Sequence, residues 1–238
     1  MNVSIKNLVI VRGAGDISTG TIHRLFRAGF PVLALESARP SAIRRRVAFS
    51  EAVYDGSTTV EGVTAVRIED VGQIVRTHVR DEVPLLVDPS GESIRSLRPA
   101  VVVDAILAKR NLGTSMDMAA LTIALGPGFE AGRDVHCVIE TMRGHDLGRI
   151  ITAGCAAPNT GVPGVIGGYG AERVIHAPAK GVFRMYMDIG STVAAGEIIG
   201  VVETGSGEVP VRAAIPGILR GILRDGYSVT QGIGRAHV

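Results

Sequence analysis

Residues 8–36 read LVIVRGAGDISTGTIHRLFRAGFPVLALE. Leu8 to Val11 is an apolar run of strand length, the glycine-bearing RGAGDISTG breaks it, and Ile22, Leu25 and Phe26 then recur at helical spacing. Pro31 to Leu35 supplies a second strand that ends in Glu36. Two such strands with a helix between them pair in parallel through a crossover. The expected class is therefore α/β, with a Rossmann-like parallel sheet at the N-terminus. Leu85 to Val87 and Val101 to Val103, closed by Asp88 and Asp104, read as later strands of that sheet, with ligand-carrying loops at their carboxyl ends.

Beyond about residue 110 the helical period fades and short strands separated by glycine take over, which marks a β-rich central region. A third region shows an internal repeat. Ala177, Gly181, Arg184, Gly190, Val193 and Gly196 recur as Ala213, Gly217, Arg220, Gly226, Val229 and Gly232, at a constant offset (217 − 181 = 36). Units this small cannot bury a core singly, so the two are expected to close into one small barrel. The division that follows is 1–110 for the α/β domain, 111–172 for the central region with its glycine loops, and 173–238 for the barrel.

With 238 residues, 46% hydrophobic and 20% charged, the chain has the makeup of a packed globular protein. A formal net charge of +2 lacks the basic field that nucleic acid requires, so no nucleic-acid partner is expected. Asp104 interrupts the most apolar segment, Pro99 to Ala108, which is too short to span a bilayer; no membrane insertion is expected. The start, MNVSIKNLVIVRGAGD, lacks the pattern of a signal peptide. Cys137 and Cys155 form no CxxC and read as two buried free thiols in a reducing, cytoplasmic setting. The sequence leaves self-association into a homo-oligomer open.

Gly13, Gly15 and Ser18 follow the spacing of a dinucleotide-binding GxGxxG, serine replacing the third glycine. A helix start after a strand suits a pyrophosphate, and Glu36 lies where an acidic residue accepts from a ribose 2′-OH. Asp16 inside the turn opposes a phosphate unless a cation such as Arg12 offsets it. Arg44, Arg45 and Arg46 follow a Pro40-Ser41 helix-start signal. They read either as a solvated helix face or as an anion clamp, in which at most two of the three, Arg45 among them, can meet one ligand.

The stretch GPGFEAGRDVHCVIETMRGHDLGRII, residues 126–151, encloses a short apolar segment between two polar glycine loops. On a helix, His136 and Glu140 would share a face and grip a metal. On a strand they stand about 13 Å apart at roughly 3.3 Å per residue. The segment is short, aliphatic and flanked by glycine, so strand is expected and no metal site with it. Arg143 to Gly148 then connects to a second strand, Arg149 to Thr152, with Arg143, His145 and Asp146 at the tip. Arg143 suits a phosphate or carboxylate and His145 a proton relay, while Gly126 and Gly128 bring backbone amides and Lys109 and Arg110 add charge after a strand end. No hydrolase or NTPase motif is present.

AKRNLGT at 108–114, ALGPGF at 124–129, DVHCVIET at 134–141, RGHDLGR at 143–149 and NTGVPG at 159–164 occur in order. Together with VRGAGDISTG, RLFRAGF and IRRRVAFSEAVYDG they closely resemble the YqeB-type accessory proteins of selenium-dependent molybdenum hydroxylase systems, over nearly the whole chain. The resemblance implies an accessory role in maturing those hydroxylases, with the hydroxylase or its maturation machinery as partner. It also implies a small anionic ligand, a molybdopterin cofactor or a nucleotide. The N-terminal unit is similar to the nucleotide-binding half of XdhC-type molybdenum-cofactor chaperones. GSTVAAGE with VVETGSGEVPVRAAIPG is similar to biotinyl and lipoyl carrier domains. Aligning Glu203 with the carrier glutamate puts Ser206 where the carrier lysine belongs, so covalent loading there is not expected. Family members continue past the barrel toward an IDPR-like ending, whereas this sequence reads GIGRAHV. Three readings remain: a maturation factor contacting its ligand through Arg12, Arg45, Lys109, Arg110, Arg143 and His145; an NAD-dependent oxidoreductase using Gly13, Gly15 and Glu36; and a docking scaffold.

Overall fold

The computed structural model describes residues 5–161, 164–232 and 234–238, so Val162 and Pro163 of the NTGVPG motif lie outside the described residues. The chain falls into two compact units, Met1–Pro40 with Val47–Asn159, and Ser41–Arg46 with Thr160–Val238.

In the first unit the opening stretch forms β1 (Val9–Arg12), α1 (Asp16–Arg27) and β2 (Val32–Glu36). There follow α2 (Ala52–Asp55), the hairpin of β3 (Ser57–Val60) and β4 (Val63–Ile68), and α3 (Ile74–Val79). Next come β5 (Glu82–Val87), α4 (Glu92–Leu97), β6 (Val101–Asp104) and β7 (Leu121–Leu125). The short strands β8 (Glu130–Ala131), β9 (Cys137–Ile139), β10 (Ile150–Ile151) and β11 (Gly154–Cys155) close the unit. One sheet runs β10-β9-β7-β6-β1-β2-β5-β4-β3. The β9-to-β4 part is parallel throughout, and the antiparallel pairs β9–β10 and β3–β4 finish its two edges.

The near-continuous apolar strands reflect burial on both faces. Val9, Val11, Val32 and Ala34 pack on one side with Ile22 of α1 and Val53 of α2. Leu8, Ile10, Leu33 and Leu35 alternate to the other side, against Ile74 of α3 and Ile94 and Leu97 of α4. The expected boundary near residue 110 is corrected by this sheet. Leu121–Ala124 pairs with Val101–Asp104, and Ile123–Leu125 with Cys137–Ile139, so the central region extends the α/β sheet. Its strands are too short and too poor in intervening helix for local periodicity to show that partnership.

The second unit carries β12 (Val174–His176), β13 (Gly181–Met185), β14 (Thr192–Val193), β15 (Ile198–Thr204), β16 (Gly207–Arg212), β17 (Gly217–Ile218), β18 (Gly221–Ile222), β19 (Ser228–Val229) and β20 (Gly234–His237). They form three small sheets around one apolar core that includes Phe183, Ile199, Val202 and Leu219. The repeat shows in the pairing of the two halves. Gly181 pairs with Val229, and their counterparts 36 residues on and back, Gly217 and Val193, pair likewise. The Gly232 amide donates to the Ala177 carbonyl (3.0 Å) and Gly196 to Ala213 (2.8 Å), and Gly226 to Phe183 as Gly190 to Leu219 (both 2.8 Å). Each half satisfies the backbone of the other. The anion clamp at 44–46 is corrected here too: Arg45–Val47 is a 3-10 turn, and its arginines are engaged within this unit. Arg45 donates through Nε to the Ile222 carbonyl (2.9 Å) and through Nη2 to Asp188 (2.8 Å), and Arg46 donates to Asp188 at 3.2 Å.

Candidate functional site

All parallel strands of the first unit end on one edge, and the loops that leave β1, β2, β5, β6, β7 and β9 gather there. The loop after β1 is the glycine turn. Its Gly13 has φ +96, and a Cβ at this position would stand 2.9 Å from the Ala105 carbonyl oxygen, so glycine lets the ends of β1 and β6 approach. The turn is already saturated in part. Gly13 donates to the Leu35 carbonyl (2.7 Å) and Ala14 to Glu36 Oε2 (2.8 Å), while Glu36 Oε1 accepts from Ser37 (2.7 Å). Glu36, expected on a ribose, holds the turn itself; Gly15 begins α1 without a side-chain cap.

Arg12 is likewise not a ligand contact. It faces Asp104 in register across β1 and β6 and is 2% exposed, as Asp104 is. Its Nη1 lies 3.7 Å from Asp104 Oδ2 and donates to Thr114 Oγ1, which donates on to Asp104, while Nη2 reaches the Pro89 carbonyl (3.2 Å). A buried pair survives desolvation only when its remaining hydrogen-bonding capacity is met. Thr114 and Pro89 meet it.

The loops after β6, β7 and β9 meet on one another. A Cβ on Gly126 (φ +76) would lie 2.6 Å from Thr141 Oγ1 and 3.4 Å from Leu107, and one on Gly128 (φ +109) 2.6 Å from the Arg110 amide nitrogen. The amide of Gly126 is taken by the Ile139 carbonyl (2.8 Å). Strands β6, β7 and β9 are neighbours, so the ends of β6 and β9 stand about 10 Å apart at roughly 4.8 Å per strand. Leu107 (φ +59) and Lys109 (φ +62) hold left-handed conformations without being glycine. Such strain persists where the surroundings enforce it and gathers at functional loops.

On this edge Lys109, Arg110, Arg143 and His145 are exposed and make no hydrogen bond or ion pair among the described residues. Arg149 differs, since it pairs with Asp146 at 3.2 Å. Glu140, at the end of β9, is 6% exposed and anchors the loop that carries Arg143. Its carboxylate accepts from the amides of Ala157 (2.7 Å), Met142 (2.7 Å) and Thr141 (2.8 Å). Those bonds, from Ala157 first, hold its pKa below the usual carboxylate range although burial pushes the other way. Of the strand expected for the segment, Cys137–Ile139 forms; His136 and Glu140 lie just outside it, and His136 accepts from the Thr122 amide at 3.0 Å. Among the described residues no group of His, Cys, Asp and Glu has the arrangement of a metal site. The expected burial of both thiols fails at Cys155, which is exposed in β11; Cys137 is half-buried.

Sequence reasoning missed a cleft of about 1000 Å³ bounded by α4 and the crossover from β6 to β7. The signal available was DPSGESIRSLR, residues 88–98, a turn leading into a helix with Arg95 and Arg98 three apart.

No family model matches the chain. Over 225 residues it is 50% identical to a protein of Escherichia coli (strain K12) named "Uncharacterized protein YqeB", an alignment that covers 94% of this chain and 41% of that one. The chain resembles one part of YqeB. It spans about two fifths of the length of YqeB, whose name carries no activity. Two similar solved structures are the product-bound ectoine utilization protein EutE (DoeB) from Ruegeria pomeroyi and a succinylglutamate desuccinylase/aspartoacylase from Rhodobacter sphaeroides. They are 13% and 14% identical, cover 100% and 98% of this chain and 86% and 84% of theirs, and give TM-scores of 0.31 and 0.32. Scores this low carry no inference from those enzymes to this chain. No described helix is long and apolar enough to cross a membrane.

Proposed function

We propose that the protein is an accessory factor in the maturation of selenium-dependent molybdenum hydroxylases, and that it binds an anionic cofactor or precursor, molybdopterin-like or a nucleotide, on the carboxyl edge of the parallel sheet. The observation that carries the reading is the set of groups Lys109, Arg110, Arg143 and His145, unpartnered among the described residues, on two loops with one strand between them, which meet at Gly126 and Gly128. Exposed cations commonly find a surface carboxylate, as Arg133 does with Glu130 at 2.6 Å. Here the charge is left for an external anion, in the place where open α/β sheets hold ligands. The resemblance to YqeB-type proteins supplies the setting, and the Rossmann-like β1–turn–α1–β2 unit agrees with it. Arg12 and Arg45 leave the set of contacts, because both are engaged elsewhere.

The oxidoreductase reading is weaker. Two amides of the glycine turn and the Glu36 carboxylate are satisfied within the fold. A docking role for the second unit finds support at the β15–β16 hairpin, whose tip is Gly205-Ser206 and offers no lysine. In that reading a biotinyl/lipoyl-like unit docks the hydroxylase without carrying a group.

Titration of the purified protein with molybdopterin cofactor released from a hydroxylase tests the proposal. Saturable binding is expected, weakened about tenfold or more, some 1.4 kcal/mol, by Arg143→Ala or by Lys109→Ala with Arg110→Ala. No binding of the cofactor or of nucleotides, or binding indifferent to all three changes, overturns it.

A further inference from the structure

We propose that the cleft beside α4 is a separate binding site for a phosphomonoester joined to a flat apolar body, a ligand of mononucleotide size. One wall is residues 90–99, including Ser90, Arg95 and Arg98; the facing wall is residues 115–120, including Ser115, Asp117 and Met118. At about 1000 Å³ the cleft stands at the upper end of the range, about 300–1,000 Å³, of small-molecule sites.

Three observations define the occupant. First, Arg95 and Arg98 line the cleft and are exposed, and their side chains have no hydrogen-bond or ion-pair partner among the described residues. Arg95 in the last turn of α4 and Arg98 just past its end both bring a guanidinium to this cleft, and two such forks suit a phosphate dianion. Glu92 also lines this wall but forms no ion pair with either arginine. Arg98 holds φ +47 at the end of α4, a place where glycine bears no strain, so the chain keeps a cation there against its backbone preference. Secondly, Met118, Ala119, Ala120 and Pro99 give the cleft an apolar surface suited to a ring. Asp117, which accepts a hydrogen bond from Ser115, stands on the wall opposite the arginines and suits an exocyclic amine or a hydroxyl. Thirdly, the spacing of the walls is fixed in advance. Buried Arg12 bonds the Pro89 carbonyl beside one wall and Thr114 beside the other, and a Cβ on Gly91 would stand 3.6 Å from Arg12 Nε. The charge pair that the candidate site does not use therefore acts as the brace of this cleft, and a preformed cleft loses little entropy on binding.

This site does not depend on the ligand proposed for the Lys109–Arg143 edge. Calorimetric titration with AMP as the probe, beside adenosine and inorganic phosphate, tests it. AMP is expected to bind saturably, and each fragment about tenfold or more weaker. Arg95→Ala and Arg98→Gly are expected to weaken AMP by about tenfold each, the glycine variant relieving strain and so folding at least as well. Lys109→Ala with Arg110→Ala is expected to leave AMP within about twofold, since those residues lie outside the cleft. The proposal is overturned if AMP shows no saturable binding at millimolar concentration or if Arg95→Ala and Arg98→Gly leave binding unchanged. Loss only on Lys109→Ala with Arg110→Ala also overturns it, while leaving the other site standing.

Discussion

Gly128→Ala probes the point where the glycine loop after β7 touches the cationic loop after β6. The new Cβ would stand 2.6 Å from the Arg110 nitrogen, 2.7 Å from its Cα and 2.7 Å from the Lys109 carbonyl carbon, all backbone atoms that cannot rotate away. Carbon contacts are comfortable near 3.5–4.0 Å, so one of the two loops must move, at an overpacking cost of about 1–3 kcal/mol. The φ of +109 adds strain of roughly 1–3 kcal/mol. Gly148→Ala is the matched control: its φ is +83 and nothing lies within 4 Å of the added Cβ, so strain alone acts. Urea denaturation, with hydrogen exchange assigning the transition to the sheet unit, is expected to place Gly128→Ala below Gly148→Ala by about 1–3 kcal/mol. The displaced Lys109–Arg110 backbone is also expected to cost anion affinity that Gly148→Ala keeps. Equal stability of the two variants within about 0.5 kcal/mol would refute the claimed contact.

Glu140→Gln leaves one amide facing a donor where a carboxylate oxygen stood, and is expected to cost about 1–3 kcal/mol at neutral pH in denaturant titrations. The folded-state pKa of Glu140 is lowered, so its stabilisation is complete above the unfolded value near 4.3 and is lost as pH falls through the folded value. Stability curves below pH ~4 should therefore fall less steeply for Glu140→Gln than for the wild type; parallel curves would contradict the assignment. A thiol reagent is expected to label exposed Cys155 about tenfold or more faster than half-buried Cys137, whose pKa burial pushes up. Equal rates would contradict the placement of the two residues.

Local patterning made the first β–α–β unit legible, because Leu8–Val11 and Val32–Leu35 are buried on both faces and α1 follows a glycine turn. The strands before Asp88 and Asp104 were visible for the same reason, and the β9–β10 hairpin showed through its glycines. What stayed hidden depends on partners distant in sequence. Arg12 looks like a free cation beside a glycine turn until Asp104 and Thr114 close on it from 92 and 102 residues away. Arg45 looks like a clamp until Asp188 and Ile222 take its guanidinium. The strands from residue 121 onward read as a separate region because nothing local reports that β7 lies beside β6. The cleft at α4 escaped notice because its two walls come from segments whose proximity only the crossover creates. Lys109, Arg110, Arg143 and His145 were legible as charge in loops; their lack of partners among the described residues is a fact of the fold.

The most direct test is native mass spectrometry of the protein purified from cells replete in selenium and molybdenum, beside the triple variant Lys109→Ala, Arg110→Ala, Arg143→Ala. A bound small anion of cofactor or nucleotide mass on the wild type, absent from an equally folded variant, is the predicted result. A wild type that carries no such adduct, or a variant that keeps it, contradicts the assignment of an anion site to the carboxyl edge of the sheet.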